Sequence, residues 1–181
     1  MALTEIINRT DYNYIEFVVS SRNSESSLNI YDTDLDKDVF YNILRKLQKE
    51  SYKYFQKDFK QYTSGNLIYE TSKESSDIKV YKKVPINAMN TVNGIQNVTA
   101  LCYKKTKLSI LSFPSSLNIN SILNVRRLTF RVNNRIYINF EIKQKLNGDN
   151  YYNIFVNYNH DPNVDASVIC RLIQSILLKI S

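Results

Sequence analysis

Glycine and proline are scarce, three of each in 181 residues, and tryptophan is absent. So few breakers leave little room for linkers, and a 43% hydrophobic chain of this length can bury one sizeable core. A single domain over residues 1–181 is the expectation. No apolar run approaches the roughly 20 residues that a membrane-crossing helix needs. The opening stretch, MALTEIINRTDYNY, has neither a basic nor an apolar region of the kind that directs secretion. An intracellular protein without a membrane partner is expected, with Cys102 and Cys170 as reduced core thiols. The glycosylation triplets at Asn8 and Asn97 carry no meaning in that compartment.

Catalytic signatures are equally scarce. The only histidine, His160, lies in the turn-like NYNHDPN, and no Ser-His-Asp, Cys-His or HExxH arrangement can be built on it. Phosphate loops of the GxxxxGK[ST] and GxGxxG kinds are missing. DTDLDKD (32–38) imitates the start of a calcium loop, but its sixth position is Lys37 rather than Gly and its twelfth is Ile43 rather than Glu. It suits a helix start better.

What the chain has in quantity is positive charge in one segment. Residues 79–145 carry twelve Lys or Arg against the single acid Glu141, a net +11, which leaves −4 for the rest of a chain whose total is +7. Clustered cations of this density suit a phosphate-rich partner, because they displace counterions from it. A solvated surface is the plain alternative.

The pattern predicts strands flanked by helices. YNYIEFVVS (12–20) is a first strand, and YDTDLDKDVFYNILRKLQKESYKYF (31–55) is a helix with Val39, Phe40, Ile43, Leu44 and Leu47 at helical spacing and Asp34 or Asp36 as cap. Strands follow at 65–71, 77–86, 98–113, 126–132, 135–143 and 152–158, with Gly148 turning the last pair. NVDASVICRLIQSILLKI closes the chain as a helix whose stripe holds Val168, Ile169, Leu172, Ile173, Ile176 and Leu177. The fold class is α+β, an antiparallel β-barrel or strongly curved sheet with an early and a C-terminal helix. The aromatic and lysine run YKYFQKDFKQY (52–62) belongs to the helix end in this reading, where such rings serve the core more often than they stack bases.

Strand parity then sorts the charges. Side chains alternate along a strand, so Arg127, Thr129 and Arg131 share one face, opposite Arg126, Leu128 and Phe130. Arg135, Tyr137, Asn139, Glu141 and Lys143 oppose Ile136, Ile138, Phe140 and Ile142; Lys79, Tyr81 and Lys83 oppose Ile78, Val80 and Val84. Asn153, Phe155 and Asn157 oppose Tyr152, Ile154, Val156 and Tyr158. A cationic, hydrogen-bonding face is the result.

In the order of its elements and in the runs VRRLTFRV, DVFYNILRKL and IKVYKKV, the chain resembles the tunnel-fold RNA 5′-triphosphatases of mRNA capping, the viral and fungal metal-dependent type. The resemblance implies a triphosphate-tunnel-like fold, basic strands that hold phosphates, and carboxylates that hold a divalent metal. This sequence keeps Glu16 but has Val18 where a second Glu belongs, Asn139 in place of an Asp, and Asn153, Phe155 and Asn157 in place of the acids of the last strand. Glu16 and Glu141 are the residual catalytic candidates, and Glu16 the residual metal ligand. No competent metal site is expected, and Mg²⁺ or Mn²⁺ belongs only to the alternative of an active enzyme. Lys79, Lys83, Arg127, Arg131 and Arg135 are the anion-binding candidates. The function expected is a catalytically degenerate module that binds an RNA 5′ end, polyphosphate or acidic protein surface in a capping or transcription assembly. An active divergent RNA 5′-triphosphatase or a virion structural protein are the alternatives. Heavy use of Asn, Ile, Lys and Tyr fits an AT-rich source such as a large DNA virus, which would put the protein in host cytoplasm or virion.

Overall fold

Alternating strands can hide one face under helices and leave the other polar, and this chain does so. The structure, a computed structural model, describes Ile7 and residues 14–19, 35–82, 91–92, 95–96, 98–103 and 108–180, with backbone alone described between 91 and 109. Strand β1 (Tyr14–Val19) and helix α1 (Lys37–Gln48) come first, then β2 (Tyr54–Ser64), β3 (Leu67–Ser72) and β4 (Ser75–Lys82). Short β5 (Thr91–Val92) and β6 (Ile95–Gln96) pair with each other, apart from the main sheet. After β7 (Val98–Tyr103) and β8 (Leu108–Ile110) come β9 (Ser121–Arg131), β10 (Ile136–Lys145), β11 (Asn150–Asn159) and helix α2 (Ala166–Ile180).

The main sheet is antiparallel, in the order β7-β1-β11-β10-β9-β2-β3-β4-β8. It is strongly curled. From β1 to β4 is six ladder steps, which in a flat sheet would put them ~29 Å apart, yet Glu16 of β1 and Tyr81 of β4 line one cavity. The seven strands between and including them form a half-barrel.

The apolar outer face carries the helices. Phe40, Ile43, Leu44 and Leu47 of α1, with Ile169, Ile173, Ile176, Leu177 and Ile180 of α2, pack on Ile15, Phe17, Phe130, Ile136, Ile138, Phe140, Ile154 and Val156. Helix α1 starts with Asp38 in its first turn and ends with Arg45 and Lys46, charges that suit its dipole. On β3 and β4, Tyr69, Ile78 and Val80 form a second, smaller core under Phe113 and Leu117.

Three expectations change. The early helix stops at Gln48, and most of the run 52–62 is strand β2, because Lys57, Phe59, Gln61 and Thr63 alternate against Asp58, Lys60 and Tyr62. The single strand expected at 98–113 is two, on opposite edges of the sheet. Val168, placed in the apolar stripe of α2, is 54% exposed. Gly148 turns the last hairpin as expected, at φ 92°, with its N–H donating to the Lys145 carbonyl at 3.0 Å.

Phe40 is fully buried, its ring edge-on to Tyr41 at 5.3 Å and Phe140 at 5.5 Å, and tilted on Tyr152 at 5.2 Å. Phe40→Ala should therefore cost ~3–5 kcal/mol of stability in urea denaturation. Val168→Ala should cost less than about 0.5 kcal/mol. Equal losses would mean that α1 does not dock as described.

Candidate functional site

The polar residues of the inner face meet through strand register. Glu141 of β10 stands opposite Arg127 of β9, which stands opposite Lys57 of β2. Next to this row Glu70 of β3 faces Gln61 on one side and Lys79 of β4 on the other. Glu16 of β1 lies opposite Asn157 of β11. The curl folds these positions around a cavity of about 220 Å³ lined by Glu16, Glu70, Tyr81, Arg127, Thr129, Tyr137, Asn139, Glu141 and Asn157, among others.

Arg127 is the centre of this cavity. Its Nη2 lies 3.3 Å from Glu70 Oε1 and 3.4 Å from Glu141 Oε1, and its guanidinium stacks over the Phe59 ring with 4.6 Å to the centroid. Burial opposes the charge, but Glu141 and Glu70 outweigh it and hold the guanidinium well above its usual value. The Tyr81 hydroxyl donates to Glu70 Oε1. Burial first, and then the Glu70 charge, push that phenol well above its usual value, so it stays a neutral donor. Thr129 donates to Asn139 Oδ1 across β9 and β10 at 2.7 Å. Arg127 Nε and Asn157 Oδ1 are buried without a hydrogen-bond partner among the described residues.

The residues singled out from sequence divide. Glu16 and Glu141 are buried in the cavity, Arg127 lies between carboxylates, and Lys79 is half-buried on the same face. Arg131 keeps the predicted parity but is exposed at the strand end, where it donates to Asn134 Oδ1. Arg135 precedes β10, pairs with Asp161 at 3.0 Å and is not among the residues that line the cavity. Lys83 lies outside the described residues.

Two charged residues of the inner face escaped the sequence pattern. Glu70 brings the cavity acids to three, and the spacing Ile68-x-Glu70 in a strand was the signal for it. Lys57 was hidden because its strand was assigned to a helix. Its ammonium adjoins that of Lys79. Burial, that contact and, more weakly, Arg127 pull the Lys57 amine below its ordinary value, against an opposing pull from Glu70.

A search of family models and of curated proteins returned no match. Solved structures do match. The S. pombe RNA triphosphatase Pct1 superposes with a TM-score of 0.61 at 8% identity, covering 98% of this chain and 87% of Pct1. Pct1 in complex with the Spt5 CTD gives 0.59 at 9% identity, covering 96% and 81%. The Mimivirus capping enzyme triphosphatase gives 0.59 at 11% identity, covering 99% and 94%. The fold is triphosphate-tunnel-like. At such identities the likeness is one of fold.

The resemblance to tunnel-fold triphosphatases implies a divalent metal, and the acids among the described residues do not fit one. No group of three or more His, Cys, Asp or Glu among the described residues is arranged to hold a metal ion. Two of the cavity acids, Glu70 and Glu141, already share the Arg127 guanidinium.

The lysine pair gives a direct test. Lys79→Gln removes one of two adjoining charges, so the Lys57 amine should titrate at higher pH in the variant than in wild type, read by NMR of the labelled side chain. An unchanged titration would show that the two amines do not meet.

Proposed function

We propose that the concave face of this tunnel-like sheet is a receptor for a polyphosphate or RNA 5′ end, in an RNA-triphosphatase-like module that does not hydrolyse what it holds. One observation carries the reading: Arg127, Lys57 and Lys79 project from three strands onto one inner face. Two adjoining amines with no ion pair among the described residues repel each other until an anion separates them. Phosphate oxygens satisfy both, and a confined, partly desolvated face strengthens each contact. The +11 segment supplies the long-range field that draws such a ligand in. A capping or transcription assembly is the setting that suits a ligand of this kind.

Lack of hydrolysis follows from the acids. Val18, Asn139, Asn153, Phe155 and Asn157 replace the carboxylates implied by the resemblance, and Arg127 engages two of the three that remain. One observation favours the second reading, a divergent phosphohydrolase that needs Mg²⁺ or Mn²⁺: Glu70, unforeseen from sequence, joins Glu16 and Glu141 on the same cavity.

Phosphate release separates the two. Purified protein with Mn²⁺ should release no more phosphate from triphosphate-ended RNA than its Glu16→Ala variant; release that vanishes in the variant would establish the enzyme. Binding tests the receptor itself. Affinity for short RNA or polyphosphate should fall steeply with salt, each neutralised phosphate of a single strand adding about −0.7 to the logarithmic slope. Lys57→Glu and Lys79→Glu should each weaken binding by about tenfold or more, the scale of a hydrogen bond to a charged group. Lys46→Glu, on the exposed side of α1, makes the same net-charge change and should do little. Equal losses from all three would mean that total charge alone is read.

A further inference from the structure

We propose, building on the receptor reading, that Phe55 is the platform on which the first nucleobase of the bound chain stacks, so that the ligand is a nucleotide-ended polyphosphate such as an RNA 5′ end rather than inorganic polyphosphate. Parity places the ring. Tyr54 turns outward and meets Phe130 of the helix-covered core, with ring centroids 5.1 Å apart, so Phe55 turns inward. Its register partner is Thr129, which lines the cavity. Two phenylalanines of β2 thus share the inner face, in different surroundings. Phe59 is 5% exposed, with the Arg127 guanidinium 4.6 Å and the Lys57 ammonium 5.6 Å from its ring centroid. Phe55 is 57% exposed and makes no ring or cation contact among the described residues.

A lone exposed ring is ordinary on an outer surface. This one stands on a concave face, one strand repeat of ~6.8 Å from Lys57, whose amine adjoins that of Lys79. A ribose puts a comparable span between a nucleobase and its 5′ phosphates, so a base laid on Phe55 leaves its phosphates at the paired amines. Among the described residues β3 pairs with β2 over Lys60–Ser64, so beside Phe55 the ladder continues toward β9 alone, and the exposed ring keeps a face open to a planar base. Every base offers a π-face, so stacking here selects nucleotides without selecting sequence.

The test compares ATP, which stands in for the first nucleotide, with inorganic tripolyphosphate, which has the same number of phosphates and no nucleoside, on the full chain in EDTA. Phe55→Ala should bind ATP about tenfold more weakly than wild type, the scale of one base–aromatic stack. It should bind tripolyphosphate as wild type does. Phe55→Tyr should keep ATP binding, and so should Tyr54→Ala, which removes the ring of the opposite face. The chain has no tryptophan, so Phe55→Trp makes a variant with a single reporter, whose emission ATP should quench and tripolyphosphate should leave unchanged. Equal losses of both ligands in Phe55→Ala, no loss of either, or quenching of the reporter by both alike would overturn the proposal and leave the receptor reading standing. A wild-type chain that binds neither ligand would overturn the receptor reading and this one with it.

Discussion

Arg127 joins Glu141 on the neighbouring strand β10 to Glu70 on β3, two strands away on its other side. In a flat sheet β9 and β3 stand ~10 Å apart with side chains parallel, and only a concave face tilts them toward one another. The ion pairs and the curl therefore require each other. Deleting one member of such a buried set strands the others, at a typical cost of ~3–5 kcal/mol. The polar interior thus depends on its charges being matched, and among the described residues one arginine matches two of its carboxylates.

The outer face obeys a simpler rule. Isoleucine, phenylalanine and tyrosine from β1, β9, β10 and β11 form one surface that two amphipathic helices cover. Because that core lies outside the curl, the inner face is released from most packing duty, the contact of Val18 with Phe155 apart. It can carry Thr129, Asn139 and Asn153 at the expense of hydrogen bonds alone.

Much of this was legible in the residues. Ile136, Ile138, Phe140 and Ile142 against Tyr137, Asn139, Glu141 and Lys143 settle both a strand and its two faces, and Gly148 settles the turn. Parity gives the face of a side chain but not its depth along the barrel. Arg127 and Arg131 share a face, yet one is held between carboxylates and the other lies in water beside the Asn133–Asn134 turn. Strand β2 was illegible for a different reason. Its outward positions, Gln56, Asp58 and Lys60, and its inward Lys57 are all polar, so the two-residue period is faint just after a strong helical one. Glu70 was overlooked because an acid near the end of a strand ordinarily faces water. Only the curl, a property of seven strands together, turns it inward.

The last hairpin has a consequence for how this protein can vary. Between β10 and β11 the chain spends four residues, 146–149, and the Lys145 N–H closes the turn on the Asp149 carbonyl at 2.9 Å. An inserted pair of residues would lengthen the loop and leave each strand as it is. A one-residue slip in the pairing of β11 would instead exchange Asn153, Phe155 and Asn157 for Ile154, Val156 and Tyr158, lining the cavity with hydrocarbon and pressing amides against α1 and α2. Length can therefore change in this loop while the pairing beyond it cannot slip, a parity rule written by the chemistry of two faces.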